Sequence, residues 1–384
     1  MLSAEGLLDQ ARQVAALDDY GDMGFAEGLR VLVTAVDEEA GLTDAREAKL
    51  HDEILRVLVN RLRMHADLQQ HPEILEEEVL PPIFITSLPR TGSTKLHRMI
   101  ASTGDFNAPM CWQAYNFAPF PQSNGTGVDP RIEAAQRDLD WIAEVAPALQ
   151  RAHPIYVDEA DEALQLLAAG FNSRYPWAVS LNVPSYVSWV LGRDQLAAFR
   201  DLRALLRYLQ WQHFPGTNRR WVLKTPVMFG FEAAFAAIFP DTDFIVTHRD
   251  PVAIWPSLSA LVLGIRSVYS DGDFSQLDVP AMLNRASWTV ERHLAWRARY
   301  PESKVMDLRF DDIVEDEVGA MRKVYAFLGM EFTGSAEANL LAWLDRDRKR
   351  GYARNTATME EFGLSPEAIA EQLSNYIERY GAFI

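Results

Sequence analysis

The sequence predicts an α/β fold in which a central parallel sheet is flanked by helices, with a helical extension at the N-terminus. Short apolar runs recur along the chain, helical segments separate them, and polar residues follow each run. Apolar runs of this length are typical of parallel strands buried on both faces, and their alternation with helices indicates a parallel sheet. At roughly 150 residues per domain, the 384-residue chain accommodates one large domain and an extension.

Residues 1–80 form the predicted helical extension. Apolar residues such as Ile54, Leu58 and Leu62 recur there at helical spacing, between Glu and Arg residues. The pattern changes after Pro81 and Pro82, so the predicted α/β domain covers residues 81–384.

Four strands are expected in this domain. The first, residues 83–86, comes before a hydroxyl-rich loop at 88–94 and a helix at 95–101; the others are residues 221–223, 244–247 and 305–310. Asp311 and Asp312 follow the last strand and lead into a helix that ends near Leu328. Ligands of a parallel sheet lie beyond the carboxyl ends of its strands, where the polar residues of this chain fall.

Composition narrows the function classes. The 54 acidic and 37 basic side chains give a net charge of −17, which argues against a general affinity for nucleic acid or anionic membranes. The single cysteine, Cys111, excludes an internal disulfide and favours a reducing, cytoplasmic setting. The sequence contains no cluster of Cys and His residues that would predict a metal site. The N-terminus lacks the basic residues of an export signal. Stable membrane insertion is not expected, because no stretch of about 20 residues is continuously apolar.

The loop from Arg90 to Thr94 has the features of an anion site. A helix begins with unpaired backbone N–H groups and a partial positive charge, and Gly92 permits close approach of a ligand to the backbone. Ser93 and Thr94 add hydroxyl donors. A capped helix after a buried strand is the alternative interpretation. The loop lacks the Gly-Lys-Ser/Thr ending of a Walker A motif, which weakens a Mg-nucleotide role.

Arg249 and Ser257 form a second candidate phosphate clamp. Asp250 and Pro251 suit a helix start, which places Ser257 about two turns into that helix. A structural ion pair is the alternative role for Arg249. Two anion sites at the ends of two strands suit a nucleotide with phosphates at both ends of its ribose.

Together these segments resemble the sulfotransferase family that uses 3′-phosphoadenosine 5′-phosphosulfate (PAPS), in particular its bacterial, mycobacterial-type branch. The resemblance rests on residues 89–94, on Lys224-Thr225-Pro226 after the second strand, and on His248-Arg249-Asp250-Pro251 with Ser257. It covers about residues 81–384 and implies a P-loop-like sulfotransferase fold, with PAPS as the co-substrate and no metal.

The resemblance also implies roles for individual residues. Arg90 lies beside the phosphosulfate, Thr91, Gly92, Ser93 and Thr94 wrap the 5′-phosphate, Arg249 and Ser257 hold the 3′-phosphate, Lys224 faces the transferred group, and Phe310 lies near adenine. Lys349, Arg350 and Gly351 resemble a late loop that closes on the 3′-phosphate, although the Gly-x-Trp that follows in the family is missing. Arg90 and Lys224 are therefore expected to be catalytic, because in-line sulfuryl transfer requires positioning and stabilisation of negative charge.

The positions where the family carries its general base hold other residues in this sequence. Relatives carry a His after this lysine, but here the positions hold Pro226 and Met228, which cannot accept a proton. Glu162 and Glu159 are the replacements that the sequence suggests, since they are three positions apart and can share a helix face. Ordinary negative charge at a helix N-terminus is the alternative reading, and His213 and His248 are reserve candidates.

Aromatic residues suggest an apolar or aromatic alcohol, or an amine, as the small or lipid-like acceptor. They are Trp112, Tyr115, Phe117, Phe120, Tyr175, Trp177, Tyr186 and Trp189. The same residues suit a hydrophobic core or the surface of a homodimer. Two other functions stay open: a nucleotide-binding family member that has lost catalysis, and an ATP-dependent phosphotransferase.

Overall fold

The computed structural model describes residues 2–121, 127–173, 176–270, 278–351 and 356–384. Within these ranges a four-stranded parallel sheet has the strand order β2-β1-β3-β4. The strands are β1 (Ile83–Thr86), β2 (Val222–Lys224), β3 (Asp243–His248) and β4 (Val305–Arg309). The predicted α/β class with a central parallel sheet is confirmed. Phe310, predicted at the end of the fourth strand, instead begins a helix.

Helices surround the sheet on both faces. In chain order they are α1 (Ala4–Ala15), α2 (Phe25–Ala35), α3 (Asp44–Gln70), α4 (Ser93–Ser102), α5 (Cys111–Tyr115), α6 (Pro130–Val145), α7 (Pro147–Ala152), α8 (Leu164–Leu167), α9 (Trp177–Ser180), α10 (Pro184–Leu191), α11 (Leu196–His213), α12 (Glu232–Ile238), α13 (Pro251–Arg266), α14 (Val279–Arg299), α15 (Phe310–Glu315), α16 (Glu317–Leu328), α17 (Gly334–Arg350), α18 (Pro366–Gln372) and α19 (Ser374–Tyr380). Within the described ranges, every helix is too short or too polar to cross a lipid bilayer.

Each face of the sheet has its own apolar core because side chains alternate along a strand. On one face Phe84 stacks on Phe235 of α12, with ring centroids 4.0 Å apart. On the other, Ile83 and Ile85 pack with Met99 of α4. This burial on both faces explains why the strands are continuously apolar rather than alternating with polar residues.

Helices α1 to α3 pack into the same core as the first sheet face. Leu29 of α2 and Leu58 of α3 are fully buried in the cluster that contains Phe84. Gly28 approaches the main chain so closely that a Cβ built on it would lie 2.0 Å from the carbonyl oxygen of Phe171. The helical extension therefore shares its hydrophobic core with the α/β domain, and the boundary at residue 80 stays a prediction.

Candidate active site

A cavity of about 1180 Å³ lies beyond the carboxyl ends of β1, β2 and β3. Its lining includes Arg90 in the loop after β1, Lys224 at the end of β2 and Arg249 directly after β3. The position agrees with the rule that ligands of parallel sheets bind outside the carboxyl ends of the strands. The sheet therefore brings together polar residues that are far apart in the sequence.

The loop after β1, residues 88–94, leads into a helix start that no described side chain caps and that borders the cavity. We call this segment the anion loop. Helix α4 begins at Ser93, two residues earlier than predicted, and no described side chain caps its first turn. Gly92 precedes it at φ +84, a left-handed conformation that favours glycine. Gly92, Ser93 and Thr94 all line the cavity. Their backbone N–H groups and hydroxyls suit a phosphate-sized anion.

The Thr91 side chain attaches this loop to the interior of the protein. The residue is fully buried, and its hydroxyl contacts Ser87 Oγ at 2.9 Å and Thr247 Oγ1 at 2.6 Å. These bonds tie the loop to the end of β3 and keep Thr91 out of the cavity lining. The Thr91 side chain therefore supports the loop, and its predicted contact with a 5′-phosphate stays a prediction.

Arg249 and Phe310 line the part of the cavity next to the anion loop, which we call the anion end. The Arg249 guanidinium lies over the Phe310 ring, 4.1 Å from its centroid, and donates from Nη1 to the Arg90 carbonyl oxygen at 3.3 Å. A Cβ on Gly92 would lie 3.1 Å from the same Phe310 ring. Ser257, in the second turn of α13, accepts from Arg90 Nε at 3.0 Å. The two predicted phosphate sites thus adjoin each other.

Lys224 and Glu162 form a buried ion pair at the cavity wall. Lys224 Nζ donates to Glu162 Oε1 and, at 3.0 Å, to Thr94 Oγ1. Burial is the main influence on both groups: it raises the pKa of Glu162 and lowers the pKa of Lys224, while the pairing of the two opposes both shifts. The ammonium therefore lies next to the anion loop with its charge balanced by a carboxylate.

Glu159 and the late basic motif lie beside the cavity and outside its lining. Glu159 accepts from the Trp343 indole Nε1 at 2.9 Å and from Arg350 Nη1. Lys349 is exposed and pairs with Asp345 at 2.7 Å. Gly351 ends α17 at φ +66. In this structure Glu159 and Arg350 attach α17 to the site, and α17 lines the cavity through residues 343, 347 and 348.

His213 and His248, the other candidates for the base, lie outside the cavity lining. His248 is fully buried, with its ring nitrogens bonded to Tyr376 Oη and Asp307 Oδ1, both at 2.9 Å. His213 packs edge-on against Trp112. Met228 is buried in the core, whereas Pro226 lines the cavity without offering a proton acceptor.

The apolar part of the cavity, which we call the aliphatic arm, differs from the aromatic pocket that the sequence suggested. Of the candidate aromatic residues, Tyr115 and Trp177 line the cavity; Trp112, Phe117, Phe120, Tyr186 and Trp189 lie outside its lining, and Tyr175 lies outside the described residues. The arm is mostly aliphatic: its walls include Leu149, Leu181, Val187, Leu261, Val262 and Ile265. Only helical spacing marks these residues in the sequence, so they could not be separated from ordinary core positions.

Two further residues of the anion end were missed by the sequence analysis. His153 and Arg98 both line the cavity. Arg98 Nη2 donates to the Pro154 carbonyl oxygen at 3.3 Å. No motif contains either residue, and the contacts that place them are between segments that are distant in the chain.

Comparison with known proteins gives a consistent result. The sequence profile of the sulfotransferase family matches residues 81–334. Two curated relatives, the omega-hydroxy-beta-dihydromenaquinone-9 sulfotransferases Stf3 of Mycobacterium bovis and Mycobacterium tuberculosis, are each 25% identical over 260 residues. The matched region spans 65% of this chain and 63% of each relative, so the chain aligns with slightly less than two thirds of their length.

Solved structures extend the likeness over nearly the whole chain. Sulfotransferase STF1 from Mycobacterium tuberculosis H37Rv superposes with a TM-score of 0.78 at 25% identity, covering 97% of this chain and 99% of that protein. Sulfotransferase STF9 from Mycobacterium avium gives a TM-score of 0.85 at 23% identity, covering 99% and 97% respectively. The second likeness shows the fold alone. Both structures confirm the predicted fold type, including the helices that precede the sheet.

Proposed function

This chain belongs to the sulfotransferase family, and on that premise we propose that it moves the sulfuryl group of PAPS to an apolar or lipid-like alcohol. The observation that carries the proposal is the contact between two anion sites at one end of the cavity. The uncapped start of α4 offers a place for the 5′-phosphosulfate. Arg249, which lines the cavity, offers one for the 3′-phosphate together with Ser257, a buried neighbour outside the lining. A nucleotide phosphorylated at both ribose positions needs such a pair.

The residues present fit this donor. Gly92 lines the cavity at the helix start, and Phe310, which also lines the cavity and carries Arg249 on one face, is our candidate for contact with adenine. Lys349, Arg350 and Gly351 remain our candidates for closure over the 3′-phosphate, because they end the helix that borders the cavity. A donor bound here supplies an activated SO₃ group and a bisphosphate leaving group.

Arg90 and Lys224 are the proposed catalytic cations. Both line the cavity next to the start of α4: Arg90 lies three residues before Ser93, and Lys224 donates to Thr94 in the first turn of the helix. Fixed positive charge at this place stabilises negative charge that develops on the sulfuryl oxygens and the leaving phosphate. Glu162 is proposed to hold Lys224 in position before the donor binds, since an unpaired buried ammonium would be costly.

The acceptor class follows from the aliphatic arm and from the relatives. A cavity of about 1180 Å³ exceeds the usual size of a site for one small ligand, roughly 300–1000 Å³, and therefore has room for donor and acceptor together. Its aliphatic walls suit an alkyl or prenyl chain. The curated relatives are named for omega-hydroxy-beta-dihydromenaquinone-9, a lipid-like alcohol, and we propose an acceptor of that class.

The location proposed for this reaction is the cytoplasm. Cys111 is buried and free in the structure, which is compatible with a reducing compartment where PAPS would be the soluble donor.

Calorimetric titration tests the donor assignment first. Adenosine 3′,5′-bisphosphate, ADP and ATP are titrated separately, with and without Mg²⁺. We expect metal-independent binding of the bisphosphate that is at least 10-fold tighter than binding of ADP. A preference for Mg-ATP would overturn the assignment in favour of a phosphotransferase. Tight bisphosphate binding without sulfate transfer from labelled PAPS to any alcohol in a broad panel would instead indicate a nucleotide-binding protein that has lost turnover.

A further inference from the structure

His153 is an imidazole in the cavity to which the sequence gives no role. It directly follows α7, where its backbone N–H donates to the Leu149 carbonyl oxygen at 2.8 Å, and it lines the cavity. In the part of the chain that the structure describes, no group hydrogen-bonds its ring. An imidazole that borders a large cavity and has no internal partner is available to a ligand.

The chain is held on both sides of His153 by cations of the anion end. Arg90 Nη2 donates to the Ala152 carbonyl oxygen at 3.1 Å, and Arg98 Nη2 donates to the Pro154 carbonyl oxygen at 3.3 Å. Arg90 belongs to the anion loop, and Arg98 lies on the helix that the loop begins. The backbone on both sides of His153 is therefore tied to the anion loop and to α4, and His153 lines the cavity together with Leu149 of α7.

We propose that His153 is the general base that takes the proton from the acceptor alcohol, an inference that rests on the proposed sulfotransferase function. The acceptor oxygen forms a bond to sulfur while the bond from sulfur to the phosphate oxygen breaks. The hydroxyl proton moves to an imidazole nitrogen of His153, and adenosine 3′,5′-bisphosphate leaves. His153 then returns the proton to water, so no other reactant is needed.

The electrostatic surroundings support this role. Burial is the main cause that lowers the pKa of His153 well below its usual value, and the charges of Lys224, Arg98 and Arg90 add to the effect. These cations face the imidazole from β2, α4 and the anion loop, while α13, which packs against α7, contributes Arg266 to the cavity lining. A lowered pKa favours the neutral ring, which is the form that can accept a proton. An anionic donor bound to the same cations would offset their charge and raise the basicity of His153.

The other candidates are less free to act. Glu162 already accepts from Lys224, so its carboxylate is charge-paired at the place where the acceptor would react. Glu159 is bonded to Trp343 and Arg350 outside the cavity lining. His153 lines the cavity, and no described group hydrogen-bonds its ring.

Three variants test the assignment by single-turnover transfer from ³⁵S-labelled PAPS to dodecan-1-ol and geranylgeraniol. We expect His153→Ala and His153→Asn each to lower the transfer rate at least about 100-fold, as for loss of a general base. The dissociation constant for adenosine 3′,5′-bisphosphate should change less than 3-fold, and added imidazole should restore at least 10-fold of the His153→Ala rate. The control is His71→Ala, because the His71 side chain is 44% exposed, contacts Glu73 and Trp211, and lies outside the cavity lining; its rate should equal that of the unchanged protein. Retained transfer in His153→Asn, or loss without rescue by imidazole, would overturn the inference.

A second readout does not depend on turnover. NMR titration of ¹³C-labelled histidine, with the His153 signal assigned by its absence in His153→Ala, should show the His153 pKa rising by more than 1 unit when the bisphosphate binds. A pKa that stays constant while the bisphosphate binds would contradict the role of His153 and leave the donor site standing. Failure of the unchanged protein to bind the bisphosphate would contradict the proposed function itself.

Discussion

Arg90 donates from Nε to Ser257 Oγ at 3.0 Å and so joins the loop after β1 to the second turn of α13. The two residues belong to the separate sites proposed for the 5′ and 3′ phosphates. The bond gives the Arg90 Nε–H and the Ser257 oxygen a partner within the chain. Ser257 accepts this bond through its oxygen and keeps its O–H to donate, so a bound 3′-phosphate can accept from Ser257 while Arg90 stays bonded to it. The single hydroxyl is therefore expected to couple the two phosphate sites.

Substitution of Arg249 tests the 3′-phosphate site. We expect Arg249→Ala to weaken binding of adenosine 3′,5′-bisphosphate by about 1.5–3 kcal/mol, the usual value of a hydrogen bond to a charged group. Affinity for adenosine 5′-phosphate should change little, so the variant should bind nucleotides with and without the 3′-phosphate about equally. Calorimetry measures both. Arg322→Ala, at an arginine that is 62% exposed and paired with Glu337, is the control; retained discrimination in Arg249→Ala would contradict the assignment.

Substitution of Arg90 or Lys224 tests their action on the transferred group. We expect kcat for sulfuryl transfer to fall at least about 100-fold in Arg90→Ala and Lys224→Ala, while affinity for the bisphosphate falls less than 10-fold. Groups that act mainly in the transition state produce this pattern. Stopped-flow transfer and calorimetry provide the two numbers. Lys323→Ala, at a lysine 55% exposed and paired with Asp312, is the control, and a loss of affinity without a loss of kcat would show that the cations only bind the donor.

A bulky residue in the aliphatic arm tests the acceptor class. Val262 of α13 is half-buried and lines the cavity, so Val262→Trp should shorten the space for an alkyl chain. We expect kcat/KM for hexadecan-1-ol to fall about 10- to 100-fold relative to kcat/KM for butan-1-ol, the range for mismatch in an apolar pocket. Val128→Trp, at a residue 83% exposed, is the control. An equal effect on both alcohols would place the acceptor chain elsewhere.

Packing of the helical extension is testable at Gly28. Alanine usually stabilises a helix interior relative to glycine, yet a Cβ here would meet the backbone of Phe171. The clash should prevail, and we expect Gly28→Ala to lower the free energy of unfolding by about 1–3 kcal/mol. Gly6 of α1 meets only Ser3 at ordinary contact distance, so Gly6→Ala should be neutral or stabilising. Urea unfolding compares the two, and equal effects would mean that α2 does not depend on this close approach.

The approximate positions of the strands and the start of α13 were predictable because local chemistry determines them. The apolar run at Ile83 and the Asp250-Pro251 sequence each act through neighbouring residues: the Asp250 carboxylate caps α13 by accepting from the Val252 N–H at 2.8 Å. The anion loop was predictable for the same reason, because the strand, the glycine and the helix that form it follow one another directly in the chain.

Long-range packing explains what the sequence did not show. His153 reaches the site because Arg90 and Arg98 bind the carbonyl groups on either side of it, and no spacing in the sequence encodes those contacts. Glu159 and Glu162 were equivalent in the sequence, three positions apart. Their surroundings separate them, because Trp343 and Arg350 from α17 bind one and Lys224 from β2 binds the other.

Asp307 makes part of the stability of the fold dependent on pH. Burial disfavours its charged form, but hydrogen bonds from His248 and Arg297 outweigh burial and lower its pKa to about 2. Burial also lowers the pKa of His248, so at neutral pH Arg297 supplies the opposing charge, donating from two nitrogens at 3.0 Å. Because the pKa is lower in the folded than in the unfolded chain, the stabilisation is fully present above about pH 5 and disappears as the pH falls toward 2.

Asp307→Asn should remove this contribution. At pH 7 we expect its free energy of unfolding to be lower than that of the unchanged protein by about 2 kcal/mol, from the shift of the carboxyl pKa. The difference should shrink to roughly half near pH 3, where the unfolded chain already binds the proton. Urea unfolding between pH 7 and pH 3 measures it. Asp345→Asn is the control, since Asp345 is 65% exposed in its pair with Lys349. A difference between Asp307→Asn and the unchanged protein that stays constant with pH would mean that lost packing, and not the carboxylate charge, accounts for the destabilisation.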